Sequence, residues 1–373
     1  MGKPRILVVV GTRPEAVKMA PVVHALRAAP ALSSRVLATA QHRELLDQIH
    51  AFFGIAPERD LDLMRPGQSL AELTSRMLAA LDPVLADEAP DLVLAQGDTT
   101  TVLCTALASR YRRIPFGHVE AGLRTGDLDN PFPEEMNRVL VGRLAALHFA
   151  PTAAAAANLR REGVPDAAVA TTGNTVIDAL LWAAPRVDAA MFAPPPGKRL
   201  VLVTAHRREN FGAPLERIAM ALRQLADRPD VHVLFPVHPN PNVRDVVHAV
   251  LGRHPAIRLC DPLDYPAMVA AMRACTLILT DSGGVQEEAP SLGKPVLVLR
   301  TTTERPEGIA AGAAKLVGTD RDAIVAAASA LLDDEHAYRA MATVQNPYGD
   351  GRAAARIVDA IRAFVGAPCG ARP

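Results

Sequence analysis

Short runs of apolar and β-branched residues alternate along this chain with longer segments of helical periodicity. Continuous apolar runs are typical of strands that are buried on both faces, as in a parallel sheet covered by helices. The alternation therefore predicts parallel sheets built from right-handed β–α–β units. The predicted strands are 6–10, 35–39, 92–95, 116–119 and 148–151, followed by 199–205, 232–237, 257–260, 276–281 and 295–299.

The pattern is interrupted once, between Gly173 and Lys198, where a proline run at 194–196 is expected to be stiff and extended. We predict an α/β protein of two similar, doubly wound, Rossmann-like halves that face each other across a central cleft. The expected domains are residues 1–173 and 174–350, with a last helix over 351–366 that packs back on the first half. Ligands of such sheets bind at the carboxyl ends of the strands.

The most informative segment is TDSGGVQEEAPSLGKPVLVL at 280–299. A predicted strand ends at Asp281, and Ser282-Gly283-Gly284 then opens a helix. Glycine lets a ligand approach the backbone, and the first N–H groups of a helix favour an anion. This arrangement is able to hold a nucleoside diphosphate, with its phosphates on the helix and its ribose hydroxyls on Glu288. A tight strand-to-helix turn, common in any α/β protein, is the alternative.

Three acids, Asp98, Glu120 and Glu134, follow predicted strands of the first half. Carboxylates held close together shift one another's pKa values, which suits general acid–base work on two faces of a substrate. For two of the acids a purely structural role is the alternative, whereas for the third a structural role is disfavoured. Asp98 is equally placed to cap a helix, and Glu134 with Arg138 to form a helix-surface ion pair. Glu120 follows a buried strand, where glutamate is rare unless it is paired.

Basic residues also gather at the strand ends, where two or three guanidinium groups are able to neutralise a diphosphate without a metal. Solvated surface positions are the alternative for Lys18 and Arg208. His206 is the best imidazole candidate for polarising a phosphate or a sugar hydroxyl, whereas His238 is also placed to cap a turn. The basic set consists of Arg13, Lys18, Arg124, Arg138, Arg207 and Arg208.

Composition narrows the classes of function. The 40 basic and 40 acidic residues balance, so no overall charge recruits nucleic acid or an anionic membrane. No run approaches the roughly 20 apolar residues of a membrane span, and the first apolar run is too short for a signal peptide. The four cysteines form no CxxC pair and indicate reduced thiols, so we expect a cytoplasmic protein. Without metal-ligand spacings, GxGxxG after the first strand or GxxxxGK[ST], we expect neither a metal nor NAD.

Taken together, the motifs closely resemble those of the bacterial non-hydrolysing UDP-N-acetylglucosamine 2-epimerases. They run in order from Arg5 to about Val365, which makes the resemblance far more specific than any single motif. It implies the glycosyltransferase-B architecture and conversion of UDP-GlcNAc to UDP-ManNAc for cell-surface polysaccharide, without a cofactor. The matching stretches are GTRPEAVKMAP, AQHRELLDQ, GDTTTVL, GHVEAGLRTGDLDNPFPEEMNR, TGNTVIDALL, AHRREN, PVHPNPNVR, TDSGGVQEEAPSLGKPVLVLR, TTERPE and NPYGDG.

The resemblance also implies roles for single residues. By it, the catalytic groups are Asp98, Glu120, Glu134, Arg138 and His206. It also implies UDP-sugar contacts for Arg13, Lys18, Ser282, Gly283 and Glu288. To these we add Arg207, His238 and Gly284, which also follow predicted strands, as expected contacts of the UDP-sugar. A second, activating UDP-GlcNAc would bind Gln41, His42 and Gln68. Two departures, Gln96 where some relatives have His and Ala205 where some have Gly, change none of these groups.

The chemistry implied by the resemblance explains this set of residues. Carbon 2 of the sugar has no neighbouring carbonyl, so UDP would leave first and 2-acetamidoglucal would form before UDP adds back. Acids would then serve both faces of the sugar while cations hold the departing diphosphate. A glycosyltransferase of the same architecture, a hydrolysing 2-epimerase and a non-enzymatic nucleotide-sugar sensor are the rivals. The resemblance further implies a homodimer.

Overall fold

A computed structural model describes residues 2–39, 43–65 and 67–367. The chain forms two compact units. Unit 1 comprises residues 1–179 and 349–373, and unit 2 comprises residues 180–348. The domain boundaries predicted at residues 173 and 350 stay predictions. Each helix among the described residues is too short or too polar to cross a membrane.

Unit 1 is built on a parallel sheet with the strand order β3-β2-β1-β4-β5-β6-β7. Because β1 lies between β2 and β4, the order of the strands reverses there, which makes β1 and β4 the switch point of this sheet. Its strands are β1 (Arg5–Val10), β2 (Ser33–Ala38), β3 (Arg59–Asp60), β4 (Leu92–Gln96), β5 (Phe116–Val119), β6 (Leu147–Ala150) and β7 (Val169–Thr171).

The helices of unit 1 begin where polar side chains can satisfy their first N–H groups. Ser69 and Glu72 form a reciprocal capping box at the start of α3, and Thr99 caps α4. These helices are α1 (Arg13–Arg27), α2 (Arg43–Phe53), α3 (Leu70–Glu88), α4 (Thr100–Tyr111), α5 (Glu134–Leu144), α6 (Ala153–Arg161) and α7 (Thr175–Ala183), whose last residues lie in unit 2.

Unit 2 repeats this plan with the strand order β10-β9-β8-β11-β12-β13, so its switch point lies between β8 and β11. Its strands are β8 (Arg199–Thr204), β9 (Val231–Pro236), β10 (Ile257–Cys260), β11 (Leu277–Thr280), β12 (Val296–Val298) and β13 (Ala314–Leu316). Its helices are α8 (Ala213–Ala226), α9 (Pro241–Leu251), α10 (Tyr265–Ala274), α11 (Gly283–Glu288), α12 (Pro306–Ala310), α13 (Arg321–Asp333) and α14 (Glu335–Ala342).

The central strands of both sheets are buried on both faces, as the continuous apolar runs predict. In unit 1, Val9 and Val93 belong to a core cluster that also contains Met77 of α3. In unit 2, Val203 and Leu279 belong to a cluster that joins the sheet to α8 and α13. The observed sheets confirm the prediction of two parallel, Rossmann-like α/β units.

The last helix, α15 (Ala353–Gly366), belongs to unit 1 and contacts α1. Its N-cap residue, Arg352, makes no side-chain cap hydrogen bond. Instead the buried carboxylate of Asp178, on α7, accepts hydrogen bonds from Ala353 N (3.1 Å) and Ala354 N (2.8 Å). Asp178 therefore does the work of an N-cap from 175 residues away in the chain.

Asp178→Ala should loosen α15, because two N–H groups would lose their acceptor at a cost of about 1–3 kcal/mol. We expect faster amide hydrogen exchange in residues 353–358 than in the wild type, measured by mass spectrometry. Asp178→Asn is the matched control, since its amide oxygen still accepts a hydrogen bond, and it should protect α15 better. Equal exchange in the Ala variant and the wild type would contradict the capping role.

Candidate active site

In unit 1 the buried carboxylate of Glu15 connects the two strands of the switch point. Its Oε2 accepts from Gly11 N (2.5 Å) and Thr12 N (3.1 Å), which follow β1, and its Oε1 accepts from Thr99 Oγ1 (2.6 Å), which follows β4. Burial raises the pKa of Glu15 from 4.5 to about 7, although these hydrogen bonds lower it. The Thr12-x-x-Glu15 capping box was the signal in the sequence for this residue, to which we had assigned no role.

Glu120 lies at the end of β5 with a positive φ of 63°, which is uncommon for a residue other than glycine. Its Oε2 accepts from Lys18 Nζ and from Gln96 Nε2, each at 2.6 Å, and its side chain is only 7% exposed. Gln96, a departure from the family motif, therefore contacts the predicted catalytic residue Glu120. The sequence alone does not reveal this contact. A positive φ in a tightly held loop is a form of local strain that is common at functional sites.

The loop after Glu120 is held by close packing. Gly122 has a φ of 87°, and a Cβ at this position would overlap the carbonyl oxygen of Ala155. Only glycine meets both requirements, because other residues rarely adopt this backbone conformation. Asn158 Nδ2 also donates to the carbonyl oxygen of Gly122 at 2.9 Å. The position of Glu120 is thus set by packing against α6.

Asp98 forms an ion pair with Arg138, so the structure brings these two predicted site residues together. Arg138 Nη2 and Nε lie 2.7 Å and 2.9 Å from Asp98 Oδ2. The helix-cap interpretation of Asp98 is wrong, because Thr99 caps α4 instead. The expected surface ion pair of Arg138 with Glu134 is replaced by one with Glu135, whose Oε2 lies 3.0 Å from Arg138 Nη1. Glu134 is half-buried at the start of α5.

Glu135, which the sequence did not single out, is almost fully buried and organises this corner. Its Oε1 accepts from Thr125 N (2.9 Å) and Gly126 N (3.1 Å), while its Oε2 receives Arg138. It thereby fixes both the loop before α5 and the guanidinium that holds Asp98. The local signal in the sequence is a glutamate three residues before an arginine on a predicted helix, and its burial is seen only in the structure.

Other predicted residues of unit 1 do not take part in these pairs. Arg13 is exposed at the start of α1, and Arg124 is engaged in a two-point ion pair with Glu162. Gln68 lines a surface pocket that Arg65 and Arg76 also line. Gln41 and His42 lie outside the described residues. The activating site therefore stays a prediction.

In unit 2 a second buried carboxylate, that of Asp281, connects the strands of the switch point. Asp281 follows β11, and its Oδ2 accepts from the backbone N–H groups of His206 and Arg207, which follow β8, each at 2.9 Å. Asn210 Nδ2 donates to the same oxygen at 3.0 Å. The carboxylate thus holds the loop that carries His206.

The His206 ring stacks on that of His238, with ring centroids 5.8 Å apart and planes 16° from parallel. Burial lowers the pKa of His206, and the negative charge of Asp281 opposes this effect. His238 Nδ1 accepts from Asn240 N at 3.2 Å, so His238 does cap a turn, as one interpretation predicted. Both imidazoles lie at the end of the sheet where ligands of this fold bind.

Positive charge surrounds the start of α11, where Ser282 is the N-cap residue. The position that a Cβ would take at Gly283 lies 3.7 Å from Arg207 Nη2 and 3.8 Å from Arg305 Cζ. Arg305, which we had not singled out, is oriented by an ion pair with Glu287. Two guanidinium groups beside the first N–H groups of a helix are an arrangement that suits an anion.

Glu288 lies on the same helix, where its Oε2 is 4.0 Å from the Cβ position of Gly284. Burial and the nearby Glu288 carboxylate raise the pKa of Tyr265 well above its usual value of 10, so the Tyr265 hydroxyl stays protonated beside Glu288. A carboxylate one turn from an anion site suits the hydroxyl groups of a ribose. No group of three or more His, Cys, Asp or Glu side chains able to hold a metal occurs among the residues that the structure describes.

Two Rossmann-like α/β units with ionisable groups at both switch points define a protein of the glycosyltransferase-B fold class. A sequence model described as UDP-N-acetylglucosamine 2-epimerase matches residues 24–362. The UDP-N-acetylglucosamine 2-epimerase of Escherichia coli (strain K12) is 53% identical over 369 residues, which cover 96% of this chain and 98% of that protein. The chain belongs to the UDP-N-acetylglucosamine 2-epimerase family, as the motifs predicted.

Solved structures agree with this assignment. A crystal structure described as that of a UDP-N-acetylglucosamine 2-epimerase from Listeria monocytogenes has a TM-score of 0.92 and 47% identity, covering 98% of this chain and 97% of that one. The UDP-GlcNAc 2-epimerase of Neisseria meningitidis, bound to UDP-GlcNAc, has a TM-score of 0.88 and 44% identity over 96% of this chain and all of that one. The predicted fold class is thereby confirmed.

The pKa of Glu15 predicts a pH dependence of stability. Because the folded-state pKa is raised from 4.5 to about 7, Glu15 contributes stability that is fully present below pH 4.5 and is lost as the pH rises through 7. Glu15→Gln keeps an oxygen for Gly11 and Thr12 and has no ionisation to lose. We expect the Tm of Glu15→Gln to rise relative to the Tm of the wild type as the pH increases from about 5 to about 8.

Glu335→Gln, on the exposed α14, serves as the control and should follow the wild type across this range. Parallel curves for the wild type and Glu15→Gln would show that Glu15 does not titrate in this window.

Proposed function

We propose that this protein catalyses the reversible epimerisation of UDP-GlcNAc to UDP-ManNAc at carbon 2 of the sugar, without NAD or an obligatory metal. Membership of the 2-epimerase family supports the activity. The observation that best supports the mechanism is that two acids of unit 1 are held in ion pairs, Glu120 with Lys18 and Asp98 with Arg138. A non-enzymatic nucleotide-sugar sensor would have no use for them.

The reaction is easiest if UDP leaves before the proton on carbon 2 is lost. Departure of UDP gives carbon 1 positive character, loss of the proton gives 2-acetamidoglucal, and UDP adds back after the other face is protonated. The Lys18 ammonium and the Gln96 amide both stabilise the carboxylate form of Glu120, which is the form that accepts a proton. We assign the proton transfers to Glu120 and Glu134, with Asp98 and Arg138 as charged neighbours.

Unit 2 supplies the groups that hold the nucleotide. The Ser282 N–H already donates to Thr280 Oγ1, so the N–H groups of Gly283 and Gly284 are the ones that suit the diphosphate. The guanidinium groups of Arg207 and Arg305 stabilise its charge as it leaves. Glu288 accepts hydrogen bonds from the ribose hydroxyls. We assign His206 to the sugar or phosphate and His238 to its support, since the two rings are stacked.

Further assignments rest mainly on the resemblance to the family. We propose a homodimer that supplies ManNAc for cell-surface polysaccharide and a second UDP-GlcNAc site that includes Gln41, His42 and Gln68, with Arg13 as a contact of the substrate. We also propose a cytoplasmic location. Cys104, Cys260 and Cys275 are free thiols, which suits a reducing compartment.

The proposal is tested by incubating the protein with UDP-GlcNAc in deuterated water and following the sugar by proton NMR. We expect UDP-ManNAc with deuterium at carbon 2, because the proton removed there exchanges with solvent before the new one is added. Free ManNAc with UDP would instead indicate a hydrolysing epimerase. Unchanged UDP-GlcNAc, with binding shown separately, would indicate a transferase that lacks its acceptor, or a sensor.

Glu120→Gln and Glu134→Gln should each lower kcat by about 100-fold or more, because an amide cannot exchange a proton with carbon 2. Binding of UDP should change little, since neither residue belongs to the anion site of unit 2. Both quantities are measurable by steady-state kinetics and calorimetric titration with UDP. Glu335→Gln is the matched control on the surface of α14. If both acid variants were folded and turned over like the wild type, the acid–base assignment would be wrong.

A further inference from the structure

Asp281 has more to do than hold a loop, because its two oxygens have different surroundings. The side chain is fully buried, and all three donors described above, two of them backbone N–H groups, converge on Oδ2. A backbone N–H can only donate, so Oδ2 must be an acceptor. This requirement fixes the orientation of the carboxylate and leaves Oδ1 facing away from the loop backbone.

Asp281 Oδ1 points at the imidazole of His206. It lies 3.4 Å from His206 Nδ1, and no hydrogen bond reaches it from the part of the chain that the structure describes. A buried carboxylate oxygen without a donor is energetically unfavourable. That cost is removed when Nδ1 carries a hydrogen and donates it to Oδ1. Catalytic hydrogen bonds are often this long before substrate binds.

The other groups that face His206 do not compete for Nδ1. His238 stacks on the ring rather than lying in its plane, and its own Nδ1 is occupied by Asn240 N. Arg207 is a cation and has no acceptor to offer. Burial lowers the pKa of the His206 imidazole and so favours the neutral ring, in which the nitrogen that carries the hydrogen decides what the ring can bind.

We propose that Asp281 is a positioning residue that holds His206 as the Nδ1–H tautomer, so that Nε2 acts as an acceptor toward a hydroxyl group of the sugar. The inference rests on the proposed function, in which His206 contacts the substrate. It also decides whether the imidazole contacts a sugar hydroxyl or the diphosphate. An unprotonated Nε2 attracts a hydroxyl hydrogen and repels a phosphate oxygen, so the sugar rather than the diphosphate is the partner.

The tautomer is measurable without any activity. In protein labelled with ¹⁵N in histidine, the neutral ring of His206 should show a protonated Nδ1 and an unprotonated Nε2, with the signals assigned by their loss in His206→Gln. In Asp281→Asn, the amide oxygen must serve the three loop donors, so its NH₂ group faces Nδ1 and forces the opposite tautomer. We expect kcat to fall by about 100-fold to 10,000-fold, with KM within a few-fold of wild type.

Asn210→Ala is the control for a purely structural role. It removes one of the three loop donors but leaves Oδ1 and Nδ1 in place, so it should keep the Nδ1–H tautomer and lose much less kcat. An Nε2–H tautomer in the wild type would overturn the proposal, even if Asp281→Asn failed to fold. So would an unchanged tautomer in Asp281→Asn. A wild type without epimerase activity but with Nδ1–H would contradict the proposed function and not the tautomer.

Discussion

A buried carboxylate bridges the switch point in each unit, and the functional groups are arranged around it. Glu15 connects the residues after β1 to Thr99 after β4, and Asp281 connects its own position after β11 to the residues after β8. Parallel strands end with backbone N–H groups that have no partner in the sheet. An acid at this place satisfies those groups and fixes two loops with one side chain.

The two bridges differ in what they hold. Glu15 accepts from the backbone of Gly11 and Thr12 and from the Thr99 hydroxyl, so it fixes the loop after β1 to the loop after β4, which carries Asp98. Asp281 leaves one oxygen facing an imidazole, so the same device also orients a reactive group. A buried acid that connects two strand ends at a switch point is thus able both to fix loops and to orient a side chain of the site.

Charge in unit 1 is balanced locally and not by the overall composition. Lys18 offsets Glu120, and Arg138 is shared by Asp98 and the buried Glu135. Ion pairs that are partly withdrawn from water hold their geometry well, although they add little net stability. This property suits a site that must place several carboxylates near one another without driving them apart.

The sequence by itself determined the parallel α/β class and the ten strands β1, β2, β4 to β6 and β8 to β12, because buried strands need continuous apolar runs. It also determined the strand ends at which the acids, the histidines and the glycine pair lie. It missed β3, β7 and β13, which are short, partly exposed edge strands without such runs.

Only the tertiary structure decided that Gln96 contacts Glu120, that Glu135 replaces Glu134 beside Arg138, and that Asp281 faces His206. The contacts made by Gln96 and Asp281 join residues 24 and 75 positions apart, which no local pattern can encode. Glu135 is close to Arg138 in sequence, but its burial depends on the loop that folds over it.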